Sequence, residues 1–70
     1  MTDSVYKVIE LIGTSTESWE DAAKNAISVA SESLRDLRIA EVSEMDMQLE
    51  DDKIIAYRAK VKLSFKYQDD

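Results

Sequence analysis

The segment from Ile54 to Tyr67 alternates in polarity. Ile55, Tyr57, Ala59, Val61, Leu63, Phe65 and Tyr67 fall on one face of an extended chain, and Arg58, Lys60, Lys62, Ser64 and Lys66 on the other. A period of two marks a strand with one face against a core. At about 3.3 Å per residue such a strand spans about 45 Å, longer than an isolated small domain needs. Its ends must find cover beyond one small core.

The rest of the chain reads strand, helix, strand ahead of it, an α+β pattern in β-α-β-β order. Val5 to Ile12 is the first strand. Val5, Ile9 and Leu11 share one face, and Tyr6, Val8 and Ile12 the other. Both faces are largely apolar, as in a strand covered on both sides. One helix covers only one of them, which points to self-association. Gly13-Thr14-Ser15-Thr16 is read as the break after it. Ser15 and Ser18 are both N-cap candidates, and Ser18 with Asp21 forms a capping-box variant. From Trp19 to Leu34, residues Trp19, Ala22, Ala23, Ala26, Ile27, Ala30 and Leu34 recur at spacings of three and four, a single apolar stripe. Trp19 is read as an anchor at the edge of the core. Arg38 to Leu49 is the second long strand. Its apolar phase switches near Ser43-Glu44, from even positions (Ala40, Val42) to odd ones (Met45, Met47, Leu49). A uniform strand cannot change faces, so a bulge or bend is expected there. Glu50-Asp51-Asp52-Lys53 is a hairpin turn.

The chain has 70 residues, expected to form one domain over 1–70. Apolar burial in a monomer of this size contributes about 105 kcal/mol. Ordering the chain costs about the same. With no Cys and no His, disulfides and the usual structural zinc sites are excluded, so oligomerisation or oxygen-ligated cations are left as supplements. The same absence removes the Ser-His-Asp triad, the thiolate nucleophile and the imidazole base. A single glycine rules out Gly-rich phosphate loops. A net charge of −6 argues against nucleic acid as a partner. No apolar run approaches the length of a membrane span. No signal peptide is visible, so a cytoplasmic location is expected.

Arg58, Lys60, Lys62 and Lys66 line one strand face, and Glu41, Glu44 and Asp46 lie on the neighbouring strand. Two readings stand. The charges form cross-strand ion pairs on a solvated surface, or the cations line a site for an anionic ligand.

The run Tyr6-Lys7-Val8-Ile9-Glu10-Leu11-Ile12-Gly13-Thr14-Ser15, the Ala-rich helix, Ala40-Glu41-Val42 and the closing Ser64-Phe65-Lys66 together resemble the dodecin family. The resemblance covers about residues 4 to 67. It implies one helix packed on a three-stranded antiparallel sheet, with twelve copies closing into a hollow shell. It also implies small-ligand storage rather than catalysis, with flavin the ligand of typical members. Those members stack flavin on a Trp where this chain has Ile39, and pair with its polar edge through a Gln where this chain has Arg58. An aliphatic chain offers no stacking face, and Arg donates without accepting. Lys66 matches a basic position through which some members hold coenzyme A, and Asp46 replaces another with the opposite charge.

Arg38 after Asp36-Leu37, the start Ser18-Trp19-Glu20 and the run Glu44-Met45-Asp46-Met47 resemble the calcium-binding branch of the family, which lacks the flavin Trp. That resemblance implies a shell binding divalent cations, calcium or magnesium. Glu17 matches a carboxylate that holds a hydrated cation in a flavin-binding member and is the first ligand candidate. Glu44 and Asp46, two apart, are the second. Three readings are carried forward: a homododecameric cation or small-ligand store with weak or absent flavin binding, a flavin-storing dodecin, and a structural or adaptor oligomer. An enzyme is not expected.

Overall fold

The structure, a computed structural model, describes residues 5–66. Strand β1 (Tyr6–Ser15) leads into helix α1 (Trp19–Ser31), then β2 (Leu37–Glu50) and β3 (Lys53–Lys66). The strands form one antiparallel sheet in the order β1-β3-β2, with the alternating strand in the middle. That placement follows from its pattern, because β3 carries the longest unbroken apolar face and meets the helix along it. Tyr67 lies outside the described residues.

The helix lies on one sheet face, called inner here, over β1 and β3. Ala22, Ala26 and Ala30 pack against Ala59, Val61 and Leu63, all buried, with Ile9, Leu11, Ile27, Leu34 and Leu37 around them. Small side chains let the helix axis come close to the strands. Gly13 completes this fit. It does not break β1, which runs on to Ser15. A Cβ at Gly13 would run into the Ala22 carbonyl oxygen and lie 3.0 Å from the Ala26 Cβ. Gly13 is required for close approach, not for a turn.

Ser18 is the N-cap: the Asp21 N–H donates to its Oγ at 3.0 Å. Ser15 supports it from the end of β1. Its buried hydroxyl donates to Asp21 Oδ2 at 2.8 Å and accepts from the Glu17 N–H at 2.9 Å. The helix ends at Ser31, three residues before the end of its apolar stripe. Leu34 still reaches the core because its N–H bonds to the Ala30 carbonyl at 2.9 Å and continues the turn.

The expected bulge falls at Ser43. Val42 pairs with Val61 and Glu44 with Lys60, so β2 spends one extra residue there. The Ser43 hydroxyl donates to the Lys60 carbonyl at 3.3 Å. The extra residue keeps Ala40, Val42, Met45 and Met47 on the inner face and puts Glu41, Glu44 and Asp46 on the outer one. Asp51 and Asp52 both have positive φ, 53° and 63°, the backbone of a type I′ hairpin turn.

The helix barely reaches β2. Val42, Met45, Met47 and Leu49 are exposed, and on the outer face so are Val8, Ile12 and Ile39. The molecule is 56 Å long and 20 by 14 Å across. Its accessible surface of 5586 Å² exceeds the roughly 4,400 Å² of a compact monomer of its mass.

Candidate functional site

The outer sheet face gathers most of the residues singled out from the sequence. β3 presents Arg58, Lys60, Lys62 and Lys66 there, and β2 presents Glu41, Glu44 and Asp46 through the bulge. Register sets Asp46 opposite Arg58 and Glu44 opposite Lys60. Arg58 Nε and Nη2 donate to Asp46 Oδ1 and Oδ2 at 2.7 and 2.8 Å, a fork that engages both carboxylate oxygens. Lys60 Nζ lies 3.2 Å from Glu44 Oε1. These four side chains and Ile12 line a depression of about 150 Å³. The ion-pair reading of this face therefore holds for Arg58 and Lys60.

The Arg58 guanidinium holds the Asp46 carboxyl below the usual carboxylate range, chiefly by hydrogen bonding, and Asp46 pushes Arg58 up. From the inner side, the Trp19 Nε1–H donates to the Asp46 backbone carbonyl at 2.9 Å. The Trp19 ring meets Tyr57 edge to face, with centroids 5.1 Å apart and planes at 70°. Trp19 thus anchors the edge of the core, as its place at the start of the stripe implies. It also pins β2 at the residue that holds Arg58.

The other candidates lie elsewhere. Ile39 is 62 % exposed and pairs with Ser64. Ser64 lies six positions along β3 from Arg58, about 20 Å of strand, so one chain does not bring the two flavin-equivalent positions together. Lys66 sits at the far end of β3, opposite Tyr6. Glu17 is exposed in the short link between β1 and α1. Among the described residues no three carboxylates come together around a point where one ion could sit. Of the residues that line the depression only Ile12 has no signal in the sequence beyond its apolar face of β1, whereas Lys60 belongs to the basic face read there.

The dodecin family model matches residues 5–68. The chain belongs to the dodecin family. Calcium dodecin of Mycobacterium tuberculosis is 51% identical over 63 residues, 90% of this chain and 89% of that protein. The crystal structure of that calcium-chelating dodecin superposes with a TM-score of 0.83 at 49% identity, over 93% of each chain. Dodecin from Streptomyces coelicolor superposes with a TM-score of 0.91 at 33% identity, covering all of both chains. The dodecin fold is thus common to relatives of quite different sequence. No helix of the described residues is long and apolar enough to cross a membrane.

Proposed function

We propose that this dodecin is a non-enzymatic store that binds divalent cations, calcium first, in a hollow cytoplasmic shell of twelve copies, and that it does not take flavin. The observation that carries the reading is the 51% identity, over 90% of the chain, with a protein named calcium dodecin. Two features of the chain support it. Ile39 gives no aromatic face to a flavin ring, and Arg58 is engaged by Asp46 and has no acceptor to offer a flavin edge. The exposed apolar surfaces of β1 and β2 are the material for contacts between copies.

Glu17 is the first proposed ligand. It is exposed, whereas Glu44 and Asp46 are each engaged by a cation of β3 and come second. On a threefold axis, one carboxylate per chain supplies three, and calcium takes six to eight oxygens including water. At −6 per chain a shell of twelve carries −72, and bound cations relieve its self-repulsion. Neither nucleic acid nor membrane is a partner.

Calorimetric titration of the assembled protein with calcium, magnesium and riboflavin tests the reading. Saturable calcium binding with no quenching of riboflavin fluorescence is expected. Tight, quenched riboflavin with no calcium heat would replace it with the flavin-store reading, and neither signal would leave a structural oligomer.

A further inference from the structure

We infer that Asp46 sets the ligand class of the outer-face depression: its carboxylate closes the depression to phosphate-bearing anions, and in its absence Arg58 and Lys60 form an anion site. The inference rests on the reading of the shell as a holder of cations and adds the residue that keeps anions out.

Without its acidic partners, the depression has the composition of a phosphate site. Arg58 and Lys60 are two residues apart on β3 and point into the same space of about 150 Å³, beside Ile12. A planar guanidinium next to an ammonium grips a tetrahedral anion through several charge-assisted bonds. The two carboxylates that neutralise them do not contribute equally. Glu44 makes one contact at 3.2 Å to a flexible lysine, and its side chain is 71% exposed. Asp46 takes the Nε–Nη2 edge of Arg58 at 2.7 and 2.8 Å, one of the two edges through which a guanidinium grips an anion with paired bonds, and neutralises its charge.

The placement of Asp46 is fixed from two further sides. The bulge at Ser43 lets Asp46 face outward while Ala40 and Val42, on the same strand, stay on the inner face. The Trp19 Nε1–H holds the Asp46 carbonyl at 2.9 Å, so the backbone that carries the carboxylate is anchored to the start of the helix. The Asp46–Arg58 clasp is therefore set by the fold and does not depend on a chance meeting of two surface side chains.

The test is titration with inorganic pyrophosphate in metal-free buffer, on protein whose assembly has been verified by mass. The unaltered protein is expected to show no saturable binding. Asp46→Asn is expected to bind pyrophosphate at least about tenfold more tightly than the unaltered protein, the order of one bidentate charge-assisted contact. Asp46→Glu, which keeps the carboxylate, restores rejection, and the double variant Asp46→Asn with Arg58→Gln loses the gain. No gain in an assembled Asp46→Asn overturns the inference, as does a gain that survives removal of Arg58. Asp46→Ala is measured in parallel, and failure of both to assemble makes the pair structural and overturns it too. Calcium titration of the unaltered protein reads the cation function separately, so the two readings fail independently.

Discussion

Gly13 of β1 lies against the Ala22 carbonyl of α1, with no room between them for a Cβ. Strand and helix meet backbone to backbone there, and the buried alanines at 22, 26 and 30 continue the same close line. Gly13→Ala forces the helix outward and loosens the Ala59, Val61 and Leu63 core. A loss of about 2 kcal/mol or more is expected, from overpacking a site bounded by backbone. Chemical denaturation at fixed protein concentration checks it, because stability in an oligomer depends on concentration. An unchanged midpoint would show that the helix shifts freely.

Trp19 joins the helix to β2. Trp19→Phe keeps a ring against Tyr57 and removes the indole N–H that the Asp46 carbonyl accepts from. A loss of about 1 kcal/mol is expected, the usual size of one neutral hydrogen bond. Trp19→Ala also removes the ring and costs more. The protein has a single Trp, so its fluorescence reports this corner directly in unfolding experiments on the unaltered chain.

The Asp46–Arg58 pair gives a pH dependence of definite sign. The Asp46 carboxyl is held below its ordinary value in the folded protein. Its stabilising contribution is full above the unfolded value, near 4, and is lost as pH falls through the folded one. Arg58 stays charged throughout that range. Carboxyl NMR titration of Arg58→Gln is expected to move the Asp46 titration upward. High salt is expected to do the same in the unaltered protein, since both side chains are exposed enough to be screened. A titration of Asp46 that does not move in Arg58→Gln would assign the depression to another cause.

Asp51 and Asp52 hold the hairpin turn in left-handed backbone that favours Asn and Gly. Replacing the pair by Asn-Gly is expected to stabilise the hairpin by about 1 kcal/mol. Urea midpoints of the two proteins give the difference. A destabilised variant would mean that the Asp side chains do more than tolerate the turn.

Assembly and cation binding separate by substitution. Twelve chains of 8.0 kDa make a particle of about 96 kDa. Met47→Glu places charge on the exposed inner face of β2 and is expected to reduce the mass seen by light scattering to that of small species. Glu17→Gln is expected to leave the mass unchanged and lower calcium affinity by about tenfold or more, since each symmetric site loses several anionic ligands at once. Full calcium affinity in Glu17→Gln would move the site to other carboxylates.

Much of the fold was legible in the sequence, because the features that encode it are periodic. The alternation after Ile54 marked the inner face of β3, and the stripe from Trp19 marked the face of α1. The change of phase at Ser43 marked the bulge without reference to any pairing. Gly13 looks like a strand break in the sequence, because a lone glycine there offers freedom for a turn. Its reason is the Ala22 carbonyl, nine residues away. The candidate site was legible only as a set of residue types.

The sequence by itself determined which face of each element is apolar, that cysteine and histidine chemistry is excluded, and that the lone chain has more apolar surface than one helix can cover. Tertiary structure decided which charges meet. Cross-strand register set Asp46 against Arg58 and Glu44 against Lys60, and left Ile39 and Glu17 apart from them. Periodicity is a property of one segment, whereas a pairing depends on where two segments come to rest. For Asp46 and Arg58 that is fixed by the two-residue turn at Asp51-Asp52 and by the shift in pairing between Gln48 and Leu49.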